Sequence, residues 1–324
     1  MNEEKFEAIQ QKINQDHTNI TGIIVQKNKQ RLYEDYFNGC TETSKIHIYS
    51  ITKSILSLLL GIAQEQGFID TLEEPLLDYF PEFTTKNKSI KKITLENLLT
   101  MTVPYAYRPG PLAYIKYFMS KDWTTFTLKQ LGGKQPLGQF YYTPLIGPDL
   151  LSALLTRRTH QSVLTFAQKE LFDPLGITVG PSIQLKTAKE QTLFNQSLTS
   201  NGWVADHTGL NAAGWGLTLS TRDLITLGQL ILNKGSWNKQ QIVPHHWLKQ
   251  MQQPHSHWEQ EQLDYGYLWW VLDSSKPIVA AMGDGGNVLY IDHEKQLVVA
   301  ITALFKEKVF DRIDFIQNEV LPLI

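Results

Sequence analysis

A serine three residues ahead of a lysine is a pairing capable of nucleophilic chemistry, and this chain contains it as Ser50–Lys53, Ser89–Lys92 and Ser236–Lys239. On a helix that spacing puts both side chains on one face, so the amine can reach the hydroxyl. Spacing does not choose among the three, but context does. Ser89 lies in a lysine-rich polar stretch, and Ser236 lies in a Gly-Ser-Trp-Asn turn. Ser50 follows Ile46-His-Ile-Tyr and opens the strongest apolar helix of the chain, which is expected to reach about Gln66 and stop at Gly67. A helix N-terminus supplies unsatisfied N–H groups and a positive dipole end, both favourable to developing negative charge. A lysine facing Ile51, Ile55 and Leu56 has its ammonium form disfavoured by desolvation, which lets it take the serine proton near neutral pH. The same residues also fit a plainer description, a serine that caps the helix and a lysine that snorkels to solvent. On these residues alone the two readings stand level.

The elements that must position the pair are legible from periodicity. Phe6, Ile9 and Ile13 have helical spacing, and Ile20–Gln26 with Arg31–Phe37 form a hairpin whose turn, Lys27-Asn-Lys-Gln, lacks glycine. From about Leu72 to Ser200 the chain reads as helices punctuated by Pro and Gly. These include one capped by Thr94, then Leu150–Thr156 and Val163–Phe172; Thr221–Asn233 follows and stops at Gly235. Strand-like runs return at Tyr267–Leu272, Ile278–Met282, Val288–Ile291 and Leu297–Leu304, with a closing helix over Phe310–Val320. Strands at both ends and helices between predict an α/β (α+β) fold, an antiparallel sheet flanked by helices. Its discontinuous sheet domain covers 1–71 and 206–324, and a mainly helical domain, 72–205, is inserted. The site then lies between them, at the start of the Ser50 helix.

Composition narrows the function classes. With 324 residues, 42% hydrophobic and 19% charged, the chain is ordinary globular material, and a net charge of -2 with scattered basic residues gives no nucleic-acid footprint. Cys40 is the single cysteine, so no internal disulfide and no cysteine-based zinc site can form, and it reads as a half-buried strand residue. The apolar run Ile55–Ala63 is too short for a membrane span, and the charged start is unlike a signal peptide, which makes a cytoplasmic enzyme the default expectation. His245-His246 lacks a metal-binding partner pattern and reads as a surface cap. No Gly-x-Ser-x-Gly elbow, phosphate loop or dinucleotide fingerprint is present, so neither cofactor nor metal is expected. Tyr105, Tyr107, Tyr114, Trp123 and Trp203 fall in loop-like stretches and line either a substrate cleft or the core.

Several ordered blocks resemble the β-lactamase-related serine hydrolases, which include class C β-lactamases, penicillin-binding D,D-peptidases and family VIII esterases. Ile48-Tyr-Ser-Ile-Thr-Lys-Ser resembles the nucleophile motif. Ile93-Thr-Leu-Glu-Asn-Leu-Leu-Thr, Phe172-Asp-Pro-Leu-Gly, Ala212-Ala-Gly-Trp-Gly-Leu and Tyr265-Gly-Tyr-Leu-Trp-Trp resemble later family blocks in the same order. The resemblance implies Ser50 as nucleophile, Lys53 as base and Tyr142 as the tyrosine of a Tyr-x-Asn motif, with Tyr141 as a rival. Pro144 stands where the family has Asn, so that side-chain amide is missing. For the third motif the resemblance implies that Ala281 takes the usual basic position, that Gly283 gives close backbone approach, and that the N–H near Asp284 joins that of Ser50 as an oxyanion hole. Without a cation at 281 the usual partner of a β-lactam or peptide carboxylate is gone. The expected activity is therefore acyl transfer through a covalent acyl-enzyme on a small ester, amide or peptide-like substrate. A D,D-peptidase or weak β-lactamase, and a non-catalytic ligand-binding protein of the same fold, are the alternatives.

Overall fold

The computed structural model describes residues 3–324. Its first helix, α1 (Glu3–Asp16), buries Ile9 and Ile13. The hairpin follows as β1 (Ile20–Lys27) and β2 (Gln30–Tyr36). It closes without glycine because Asn28 and Lys29 both take left-handed backbone, φ 48° and 65°, as a tight two-residue hairpin turn requires. The last third supplies β3 (Ser256–Trp258), β4 (Leu263–Tyr265), β5 (Trp270–Asp273), β6 (Ile278–Gly283), β7 (Asn287–Asp292) and β8 (Leu297–Ala303). All eight form one antiparallel sheet in the order β2-β1-β8-β7-β6-β5-β4-β3.

Strand alternation divides the core into two layers. In β8, Leu297, Val299 and Ile301 pack with α1 and with Phe315, Ile316 and Val320 of the closing helical segment. Val298 and Ala300 point the other way, into the layer that holds α2 (Ile51–Glu65). Every residue of α2 from Ile51 to Ala63 is buried, as expected of a helix enclosed on all sides. Gly61 fits this enclosure, since a Cβ there would lie 2.4 Å from the Trp247 ring. Beyond α2 the chain builds a helical region that includes α3 (Pro111–Phe118), α4 (Pro148–Thr159) and α5 (Ala188–Gln196). It returns to the sheet with α6 (Thr221–Leu232), which packs against β8, β1 and β7. The fold is thus an antiparallel sheet flanked by helices with an inserted helical region. Among the described residues no helix is long and apolar enough to cross a membrane.

Two local expectations need correction. Tyr267–Leu272 does not form one strand: Leu268 has φ 59°, its carbonyl accepts from Ser54 Oγ at 2.6 Å, and its N–H donates to Leu99 O at 2.9 Å. That segment is pulled off the ladder onto α2, and pairing starts only at Trp270. Strands β3 and β4 are additional to the expected runs, being three-residue, mostly polar segments that carry no clear alternation. Cys40 is buried in the loop after β2 rather than in a strand.

Candidate active site

Ser50 sits at the N-terminal edge of α2 and makes no side-chain capping bond. Its hydroxyl instead accepts from Lys53 Nζ at 2.8 Å. The Lys53 amine does not snorkel; the side chain is 2% exposed, and Nζ also donates to the carbonyls of Pro144 at 2.9 Å and Gly214 at 3.1 Å. Burial pushes its pKa down to about 8, against the opposing pull of the Asp284 and Asp149 charges. The plainer description of this pair, a cap and a surface lysine, is therefore wrong on both counts. Neither rival pair shares the setting. Ser89 is exposed before a single 3₁₀ turn, and Ser236 lies in a two-residue strand.

The residue before Ser50 is held in an unusual backbone. Tyr49 has φ 49°, a left-handed value that costs a non-glycine residue of order 1–3 kcal/mol. Two contacts fix it there. Its ring lies against His47 at 3.8 Å between centroids, and β6 crosses behind it. At Gly283 a Cβ would fall 2.4 Å from Ile48 O and 3.2 Å from Ser50 N, so only glycine allows this approach. No backbone carbonyl among the described residues takes the N–H of Ser50 or of Asp284. Free donors where β6 meets the start of α2 can hold an oxyanion.

Tyr142 and Tyr141 separate cleanly. Tyr141 OH donates to Tyr107 O at 2.8 Å, and Tyr141 N donates to Met101 O, so this residue ties two loops together. The Tyr142 ring stacks on Trp258 and leans on Trp270, with Lys53 Nζ 5.5 Å from its centroid. Burial and the Asp284 charge push its phenol up to about 12, while hydrogen bonding with Ser50 pulls the other way. A phenol in that state is a proton donor at neutral pH. Ala281, expected beside a substrate, is fully buried beneath α2 and offers nothing to a ligand. Of the aromatic set, Tyr105, Tyr107, Trp123 and Trp203 are core, and Tyr114 alone is half-exposed.

Several contributors were not legible from motifs. Pro144 lacks the amide expected at its position, yet its carbonyl holds Lys53. Gly214 supplies the second carbonyl, and a Cβ there would come 3.5 Å from Lys53 Nζ. Asp149, fully buried near the start of α4, accepts from Tyr117 OH at 2.8 Å and from Ala213 N at 3.0 Å. It thereby pins the segment that presents the Gly214 carbonyl. Burial pushes its carboxyl up to about 7. His47 is not a general base for Ser50, since its Nε2 accepts from Gly216 N at 2.9 Å and burial holds its pKa near 3. The block Ala212-Ala-Gly-Trp was the one available sequence signal for the Gly214 carbonyl; nothing local pointed to Asp149.

Comparison with known proteins agrees with this architecture. A family model described as Beta-lactamase matches residues 7–317. Beta-lactamase-like protein 4 of Dictyostelium discoideum is 27% identical over 202 residues, covering 62% of this chain but only 31% of that protein. The match thus spans less than a third of the relative's length. A D-stereospecific amidohydrolase from Streptomyces sp. superposes with TM-score 0.71 at 16% identity, over 96% of this chain and 98% of its own. A family VIII carboxylesterase superposes with TM-score 0.71 at 13% identity, over 99% and 98% of the two chains. At such identities the superpositions speak for the fold.

Proposed function

Because the chain belongs to the beta-lactamase family, we propose that it is a serine hydrolase that works through an acyl-enzyme on small esters or amides. The observation that carries this reading is the 2.8 Å contact between Ser50 Oγ and a buried Lys53 amine whose pKa lies near 8. At pH 7 about a tenth of such an amine is free base, enough to accept the serine proton. Ser50 Oγ attacks the substrate carbonyl as its proton passes to Lys53 Nζ. The N–H groups of Ser50 and Asp284 hold the oxyanion. Tyr142 gives its phenol proton to the leaving alcohol or amine as the C–O or C–N bond breaks, and Lys53 returns a proton to Tyr142. Water then attacks the ester at Ser50, losing its proton to Lys53, and the acid departs as Oγ is reprotonated.

The buried Ala281 supports a substrate without a carboxylate at the third-motif position, which sets β-lactams and peptide C-termini behind simple esters and amides. Intact mass after a fluorophosphonate and, separately, after a fluorescent penicillin tests the proposal. Fluorophosphonate alone modifying Ser50 is the expected result, and labelling by both reagents favours the D,D-peptidase or weak β-lactamase reading. If neither adds mass, and Ser50→Ala is equally folded, the chain is a ligand-binding member of its family and the proposal fails.

A further inference from the structure

We infer that the cleft between α3 and α5 is a binding site for a single-chain aliphatic carboxylate, separate from the site around Ser50. The cleft encloses about 320 Å³, the size of a small-molecule pocket, and none of Ser50, Lys53, Tyr142 or Asp284 lines it. Its floor includes two buried indoles, Trp123 and Trp215. Both ring N–H groups are already engaged by Tyr117: that of Trp123 donates to the carbonyl at 3.2 Å, and that of Trp215 to the hydroxyl at 3.3 Å. The indoles therefore offer an incoming group only carbon. Phe118 stands edge-on to Trp215, 5.2 Å between centroids, and extends that apolar surface along the wall.

Helix α3 leaves this wall uncovered. Ile115 and Met119, four residues apart on the cleft side, are 57% and 77% exposed, whereas Tyr117 is the buried residue of the helix. Large apolar side chains left to water around a concave site mark a place that a ligand covers, and an aliphatic chain lying between α3 and α5 takes them out of water. The charges fix the other end of that chain. Asp206 is the one carboxylate of the lining among the described residues, and it already accepts from Trp123 N, Thr208 N, Thr208 Oγ1 and Leu210 N. It needs no cation from a ligand. Lys186 lines the cleft and Lys189 follows in the first turn of α5; neither ammonium has an ion-pair partner among the described residues. Glu190, the acid of that turn, folds back onto the N–H groups of Lys186 and Thr187 at 2.6 and 3.2 Å. The positive end of the α5 dipole points the same way as the lysines. An apolar chain with one negative end matches both halves of the cleft, while an ammonium meets two like charges.

The test is photolabelling of the whole chain with a decanoic acid carrying a terminal diazirine, read by intact mass and mapped by peptide mass. Label should fall within 115–123 and 184–192. Octanoate should displace the label at ~20-fold or more lower concentration than butyrate, because four more methylenes leave water. It should do so at ~3–10-fold lower concentration than octylammonium, as expected of exposed ion pairs. Lys186→Gln, a change at an exposed position, should narrow the second ratio and leave the first. Ile115→Glu should weaken octanoate by ~10-fold or more, and the mapped label locates the site even if that variant fails to fold. Label confined to the peptides that carry Ser50 or Tyr142, butyrate or octylammonium displacing as well as octanoate, or no label at all overturns the inference. None of these outcomes bears on Ser50 as nucleophile, which the fluorophosphonate reads separately.

Discussion

Lys53 is a lysine with three hydrogen-bond acceptors and no carboxylate among them, and this sets its titration. If its free base starts the reaction, kcat/KM rises with pH and levels off above a limb near 8. Asp284 and Asp149 both favour the ammonium form, so Asp284→Asn and Asp149→Asn should each move that limb to lower pH. A limb that stays put or moves upward would contradict the assignment. Asp149 also makes a stability prediction of its own. Its folded pKa, about 7, lies above the unfolded value of ~3.9, so the folded state keeps a proton that the unfolded chain gives up. Stability from this group is full below pH ~4 and is lost as pH rises through about 7. The difference in urea midpoint between wild type and Asp149→Asn, followed from pH 4 to 8, should therefore change in favour of the variant. Tyr142→Phe is expected to lower kcat by ~10²-fold or more. Tyr141→Phe, losing only a bond to Tyr107 O, should cost ~1 kcal/mol of stability and little activity. The Ser50–Lys53 pair was legible because one short helix holds both partners and an apolar run marks that helix. The Pro144 and Gly214 carbonyls and Asp149 were not, because each acts across a long sequence separation through backbone geometry that no side-chain pattern records.

At the scale of elements, the site is the meeting of α2 with β6, and glycine permits that meeting. A Cβ at Gly283 collides with Ile48 O at 2.4 Å, a backbone atom that cannot swing aside. Gly283→Ala should therefore push β6 from the helix start, spread the two oxyanion donors and lower kcat more than it raises KM; steady-state kinetics on any ester the wild type turns over reads this. Gly61→Ala sets a Cβ 2.4 Å from the Trp247 ring on the far side of α2. Overpacking there should cost ~1–3 kcal/mol in a denaturant titration, with KM unchanged. The sheet's long strands were legible because β6, β7 and β8 are runs of apolar and β-branched residues bounded by turns. Leu268 was not, because what bends it out of the ladder is a hydroxyl on another element, Ser54. Alternation reports which face a residue prefers; it is silent about a single hydrogen bond that outweighs the preference.

For the whole molecule, the notable fact is that β1 is flanked by β2 on one side and β8 on the other. Val25 pairs with Val299, and α1 shares its core layer with Phe315 and Ile316. A chain shortened before Leu297 keeps Ser50, Lys53 and Tyr142 but lacks the strand between β1 and β7. Such a fragment should show no cooperative unfolding transition, and calorimetry would reveal one if the helical region and α2 could stand without β8. The same pairing has a consequence in time. On a ribosome adding ~5–20 residues per second, β1 emerges and then waits on the order of tens of seconds for its second neighbour to be made. Throughout that interval a strand built from Ile20, Ile23, Ile24 and Val25 has one unmatched edge, open to any other extended chain. Aggregation of this protein during synthesis should therefore begin at its first strand, long before the serine helix has a sheet to lie on.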